Sequence, residues 1–172
     1  MNKPKLTQSE LKSLLSYSPT SGEFVWLHRP NAPRHWNSRY AGKIAGFDWP
    51  IGNIIYRSIR IHDYPFLGHR LAWLYMTGEW PLAIDHKDGN GLNNSWTNLR
   101  IATKAQNAAN TGAQKNNKTG FKGVSPHKGR YRATISIAGK QQCLGYFSTA
   151  EEAHKAYCTA AKERDGDFLR TA

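Results

Sequence analysis

Cysteine is scarce in this chain of 172 residues: Cys143 and Cys158 are the only two, and they form no CxxC pair. That excludes a disulfide framework and the Cys/His ligand spacing of zinc ribbons, so no structural zinc is expected and both thiols read as free. Long apolar runs are also missing. None reaches signal-peptide or membrane-spanning length, and the expectation is an intracellular, cytoplasmic protein with no membrane partner. Acidic residues are few as well: 12 Asp and Glu stand against 24 Lys and Arg, a formal charge of +12. An excess of that size points to a polyanionic partner, because cationic side chains release counterions from a phosphate backbone.

The charge is unevenly placed. Residues 1–78 carry +6, residues 79–112 are neutral, residues 113–149 carry +7 without a single acid, and residues 150–172 carry −1. A neutral, acid-containing centre between two basic flanks suits a metal site held against a nucleic-acid track.

Thr7-Gln8-Ser9-Glu10 is a capping box opening a helix whose Leu11, Leu14 and Leu15 share one face. The turn residues 18–22 lead to an extended Phe24-Val25-Trp26, and the chain reads as β-rich to about residue 67. Residues 54–61 are the most strand-like run, with Arg57 and Arg60 as possible phosphate contacts. Six tryptophans suggest a core filled by aromatic rings. His69 to Thr77 reads as a helix.

Residues 108–120 hold no large apolar side chain, and a basic polar linker is expected at 113–118. Beyond it, residues 130–138 alternate, with Tyr131, Ala133, Ile135 and Ile137 on one face and Arg130, Arg132, Thr134 and Ser136 on the other. A turn at Gly139-Lys140 returns into 143–147, and 121–125 supplies a first strand. Thr149-Ala150-Glu151-Glu152 caps a helix running to about Arg164. Its small apolar face packs on the sheet, leaving a basic, polar sheet face able to enter the major groove of B-DNA. The fold class expected is α+β. A β-rich N-terminal arm and a β-loop-β-α core occupy 1–112, and a three-stranded antiparallel sheet packed on one helix occupies 119–172.

The segment from Ile84 to Asn107 carries the chemistry. A short apolar strand at 82–84 delivers Asp85 and His86 at its end. A loop dense in Gly, Asn and Asp follows, then a return strand at 98–101, then a capping box, Thr103-Lys104-Ala105-Gln106, that sets Asn107 in a helix. Phosphodiester hydrolysis needs a water nucleophile and neutralisation of charge on phosphorus and on the leaving oxygen. A neutral His86 can take the proton from water. Asp85 and Asn107 offer hard oxygen donors that select one Mg²⁺ or Mn²⁺ ion over zinc. Asn98 is placed to hydrogen-bond across the hairpin and help orient His86. Among the other histidines, His69 stands out, just before the helix that leads into this segment.

These residues resemble a known family. Asp85-His86, Asn93-Asn94, Asn98-Leu99-Arg100 and Asn107, within residues 69–110, are similar to the HNH (ββα-metal) nucleases of phage and intron homing endonucleases. The resemblance implies His86 as general base, Asp85 and Asn107 as metal ligands, and Asn98 as the supporting middle residue, Asn standing where the motif's third letter can be His. Residues 119–168 resemble an AP2 DNA-binding domain through Phe121-Lys122-Gly123-Val124, residues 131–135, Leu144-Gly145-Tyr146-Phe147 and Thr149-Ala150-Glu151-Glu152-Ala153 with Ala156-Tyr157. Lys122, Ser125, His127, Thr134, Ser136, Gln141 and Cys143 match DNA-contacting positions of that family. Lys128, Arg130, Arg132 and, nearer the nuclease motif, Arg100 are further candidate DNA contacts.

The function expected is a site-specific DNA endonuclease of the homing type, encoded by a phage or mobile element. It would act on double-stranded DNA as a monomer or weak dimer. The alternative is a sequence-specific DNA-binding regulator whose HNH module is inactive. A structured-RNA binder ranks third, because a groove-reading sheet suits B-form DNA better than the narrow major groove of RNA.

Overall fold

The computed structural model describes residues 6–103, 106, 107, 110, 117–137 and 139–168. The chain divides into two compact units, Met1–Thr103 and Lys104–Ala172, and together they give a mixed α+β protein built from small antiparallel sheets. Among the described residues, no helix is long and apolar enough to cross a membrane.

In the first unit, Thr7 caps α1 (Gln8–Leu14) by accepting a hydrogen bond from the Glu10 backbone N–H. Leu11 and Leu15 lie fully buried at the start of the core. The chain passes directly from the helix into β1 (Leu15–Tyr17), which pairs antiparallel with β2 (Phe24–Trp26). α2 (Arg34–Tyr40) follows within the stretch expected to be β-rich. The fixed φ of Pro33 at its N-terminus prepares the first turn. β3 (Phe47–Ile51), β4 (Ile54–Ile61) and β5 (Tyr64–Leu67) then form a three-stranded sheet in chain order. α3 (Gly68–Thr77) ends at Gly78, whose left-handed backbone returns its N–H to the Leu74 carbonyl. Beyond it, β6 (Ile84–His86) pairs with β7 (Leu99–Ile101).

The core of this unit is mainly aliphatic. Leu11, Leu15, Ile59, Ile61, Leu71 and Leu74 close around Phe24. The tryptophans do not fill it as expected: none is fully buried, and Trp49 is 36% exposed. Trp26, Trp73 and Trp80 pack against the core from its margin. The margin lets an indole N–H reach a partner, as when Trp80 Nε1 donates to the Leu6 carbonyl at 3.2 Å.

In the second unit, β8 (Val124–His127), β9 (Arg130–Ile137) and β10 (Lys140–Phe147) form an antiparallel sheet with β9 in the middle. The first strand begins three residues later than expected, because residues 121–123 form the turn into it. The return strand begins at Lys140, not Cys143, and absorbs a register shift between Cys143 and Gly145. α4 (Ala150–Asp165) opens on a complete Thr149/Glu152 capping box. It packs Ala153, Tyr157 and Ala161 against Val124, Ala133 and Ile135 of the sheet. Ile137, expected on the packed face, sits at the hairpin end and stays 43% exposed. Most of the expected linker at 113–118 lies outside the described residues; Asn117 belongs to the second unit, its amide donating to the Phe121 carbonyl at 2.7 Å.

Gly123 shows how closely this unit is packed. Its φ of +76° is left-handed, and a Cβ there would come within 2.1 Å of the Tyr157 ring. Gly123→Ala should therefore destabilise the second unit by about 1–3 kcal/mol through strain and overpacking. Urea denaturation followed by far-UV circular dichroism checks this; an unchanged midpoint would contradict the packing described.

Candidate active site

The β6–β7 hairpin pairs Asp85 with Arg100 and His86 with Leu99. Cross-strand partners project to the same face, so register alone places a guanidinium beside the Asp85 carboxylate. Arg100 Nε donates to Asp85 Oδ2 at 2.8 Å, and Nη2 lies 2.7 Å from the same oxygen. Asp85 and His86 are both buried at the end of strand β6, as the sequence places them.

The loop between the strands is tied by its own short polar side chains. Asp88 Oδ1 accepts from Asn90 N–H, Asn90 Oδ1 from Leu92 N–H, and Asn93 Oδ1 from Ser95 N–H. Three such turns in succession explain the concentration of Asn and Asp. Asn98 closes the loop. Its Oδ1 accepts from Asp88 N–H at 3.1 Å, while its Nδ2 donates to Asp88 Oδ1 at 2.9 Å and to the Asn93 carbonyl at 2.8 Å. Burial pushes the Asp88 carboxyl up, but hydrogen bonds from Asn90, Asn93 and Asn98 outweigh it and hold its pKa below the ordinary value.

Asn98 thus holds the loop, and its hydrogen bonds do not reach His86. That contact comes from Asn94, whose Oδ1 lies 3.1 Å from His86 Nε2. Asn94 is 2% exposed and held from several sides. Its carbonyl accepts from the Tyr17 hydroxyl at 2.7 Å, and its Nδ2 donates to the Leu92 carbonyl at 3.3 Å. The loop tip closes on β4 at Gly91, where a Cβ would meet the Ile55 carbonyl oxygen at 2.5 Å. An Asn oxygen only accepts, so His86 Nε2 donates, and Nδ1 is the proton-accepting nitrogen of the neutral ring. Burial lowers the His86 pKa below 6.5 against the raising effects of the Asn94 hydrogen bond, Asp88 and Asp85.

Two more rings flank His86. His69 meets it edge to face with centroids 5.0 Å apart, and Tyr56 lies at 6.0 Å. His69 sits in the first turn of α3, and its buried Nδ1 has no hydrogen-bond partner among the described residues. Burial, with smaller contributions from His86 and Arg70, pushes its pKa down to about 3. Sequence reasoning singled out His69 and placed Asn94 in the family motif without giving it a role, but missed Tyr17 and Gly91. The signal for Asn94 was weak, because one Asn among many in a loop reads as turn chemistry.

Asn107 lies in a helical segment of the second unit. The capping box assigned to that helix includes Lys104 and Ala105, which lie outside the described residues. Among the described residues, no three or more His, Cys, Asp or Glu side chains gather as a metal-holding group.

The remaining expected DNA contacts divide clearly. Arg57 forms an ion pair with Asp48 at 3.1 Å, Arg60 is exposed on β4, and Arg100 is engaged by Asp85. Lys122 precedes β8, and Lys128 occupies the β8–β9 turn with φ +45°. Register places Ser125 opposite Arg132, His127 opposite Arg130, Cys143 opposite Thr134 and Gln141 opposite Ser136. Those eight therefore share the sheet face opposite the packed Ala133 and Ile135.

The hairpin thus buries a histidine next to a guanidinium-paired carboxylate, with a loop tied by its amide side chains between the two strands. A family model described as HNH endonuclease matches residues 67–109. Protein 3.8 of Escherichia phage T7 is 36% identical over 106 residues, a match covering 59% of this chain and 87% of that protein. Uncharacterized HNH endonuclease L560 of Acanthamoeba polyphaga mimivirus is 34% identical over 103 residues, 58% of this chain and 54% of that protein. The chain thus spans about half the length of the mimivirus relative. No solved structure matches it. Residues 67–109 are an HNH endonuclease domain, which makes the chain a nuclease with DNA as the substrate that domain implies.

The buried His69 gives a pH signature. The unfolded chain takes up a proton near pH 6.5, whereas the folded ring stays neutral down to about pH 3. This contribution to stability is complete above the unfolded value and lost as pH falls through the window below it. Between pH 7.5 and pH 5 this group alone removes about 2 kcal/mol. In urea titrations at both pH values, His69→Phe should lose less stability on acidification than the parent chain by about that amount. Equal losses would contradict a buried, neutral His69.

Proposed function

We propose that this chain is a site-specific DNA endonuclease of the homing type, in which His86 is the general base. The observation carrying the reading is the hydrogen bond between His86 Nε2 and Asn94 Oδ1, which commits the ring's proton to one side and its lone pair to Nδ1. Nδ1 takes a proton from water as the water oxygen bonds to phosphorus and the bond to the leaving 3′-oxygen breaks. The lowered pKa keeps the ring neutral and competent below the ordinary histidine range. Asn98 positions the loop and so acts through its neighbours, not on the substrate.

HNH endonucleases typically use a divalent metal, and the donor chemistry here fits one hard ion such as Mg²⁺ or Mn²⁺. We assign the Asp85 carboxylate, which Arg100 contacts at Oδ2, and the Asn107 amide oxygen as its ligands. When bound, the ion supplies charge neutralisation at the phosphate and the leaving oxygen. We assign DNA recognition to the β8–β10 sheet as an AP2-like module. Lys122, Ser125, His127, Lys128, Arg130, Arg132, Thr134, Ser136 and Gln141 contact DNA there, with residues 113–118 as linker. The shared face of the sheet and the absence of acids in residues 113–149 support this assignment.

His86→Ala should reduce nicking or cutting of supercoiled plasmid in Mg²⁺ or Mn²⁺ by about 10²–10⁴-fold. Native chain that binds DNA but cuts no better than this variant would favour the regulator reading. Asn94→Ala should lower the rate by about 10–100-fold with DNA binding in EDTA retained. Its unchanged activity would remove the tautomer argument. Arg130→Ala/Arg132→Ala should weaken target binding and reduce its salt dependence while cleavage of excess plasmid persists; unaltered binding would contradict the assigned face.

A further inference from the structure

The first unit holds a second concave surface that shares no lining residue with the His86 site. The turn between β2 and α2 is clamped by Asn37, whose Oδ1 accepts from Arg29 N–H at 2.9 Å and whose Nδ2 donates to the Arg29 carbonyl at 2.8 Å. This clamp sets the Arg29 guanidinium 4.7 Å from the Trp26 ring and 4.1 Å from the Trp36 ring. The two indoles meet edge to face at 5.5 Å. Arg29 Nε is buried with no hydrogen-bond partner among the described residues.

Beside this stack opens a cleft of about 590 Å³, within the ~300–1,000 Å³ span of small-molecule sites. Tyr40 and Phe47 bring to it rings that are 37% and 40% exposed. Arg60 brings an exposed guanidinium, and Asp63 is the one carboxylate on the lining. α2, which supplies Trp36 and Tyr40, also carries Arg34, His35 and Arg39 and no acid.

Phe47 stacks on Trp49 at 5.7 Å and the Arg39 guanidinium lies 5.5 Å from the Tyr40 ring, so part-exposed rings interleaved with guanidinium groups line the cleft and match a nucleobase and its phosphate. Aromatic side chains stack on any base, and arginine adds cation–π and phosphate contacts. A base inside a duplex has both faces covered by its neighbours, so stacking of this kind requires an unstacked one. We propose that the cleft lined by Trp36, Tyr40, Phe47, Arg29 and Arg60 binds an unstacked base of single-stranded or locally opened DNA. The inference rests on the reading that the chain acts on DNA, but not on the assignment of its catalytic residues.

The test uses the full chain in EDTA, where no cleavage intervenes. Fluorescence anisotropy compares a labelled oligothymidylate, a strand of equal length whose central nucleotides are abasic, and a duplex. The parent chain should bind the thymidylate at least about fivefold tighter than the abasic strand. Tyr40→Ala/Phe47→Ala, checked for folding by circular dichroism, should remove that preference with duplex affinity within about twofold. Iodouracil in the strand should cross-link to the aromatic residues of the cleft. Equal binding of the two strands, an undiminished preference in the variant, or cross-links confined to residues 119–168 would overturn the proposal. Plasmid cutting by the parent chain in Mg²⁺ is scored separately. A chain that cuts without a base preference sinks the cleft alone, and one that shows the preference without cutting sinks the nuclease mechanism alone.

Discussion

The contact between His86 and Asn94 is the constraint around which the nuclease element is arranged. A buried imidazole must satisfy its N–H or lose the cost of desolvating it, and here one amide oxygen meets that need. Asn94 can do so only because it is itself immobilised. The Tyr17 hydroxyl holds its carbonyl, and burial raises the Tyr17 pKa to about 12, so the phenol stays a donor across the working range. The β1–β2 hairpin, which carries Tyr17, thereby supports the His86 imidazole through Asn94. Gly91 against β4 and Asn98 against Asp88 fix the rest of the loop.

Charge is distributed to suit that arrangement. Asp85 stays beside His86 because Arg100 lies directly opposite it on β7, so a buried carboxylate is compensated within the hairpin. Two rings, His69 and Tyr56, flank the His86 imidazole. Burial lowers the pKa of both histidines, and the excess of cationic side chains lies elsewhere in the sequence. On the proposed mechanism chemistry and attraction are separated: a neutral site cuts, and basic flanks carry the substrate to it.

Much of this was legible in the residues. The alternation from Arg130 to Ile137 and the Thr149/Glu152 box predict the sheet and helix of the second unit, because each is set by local periodicity and capping. Asp85 and His86 stand out because carboxylate, imidazole and amide types coincide in one short stretch. α2 was missed, since its helical turns offer no apolar stripe and hold no buried residue. Asn98 was read as orienting His86 when it orients the loop, because hydrogen-bond partners inside an Asn-rich loop depend on its path and not on spacing. The tryptophans were read as core when they line the margin and a surface cleft; composition records their number but not which side of the sheet they take.

The central claim is that His86 is held neutral with its proton on Nε2. Long-range ¹H–¹⁵N correlation of the imidazole in ¹⁵N-labelled protein at neutral pH reads this directly. A pyrrole-like Nε2 and a pyridine-like Nδ1 are expected for His86, reverting to a tautomer mixture in Asn94→Ala. A proton on Nδ1, or a charged ring at neutral pH, would contradict it.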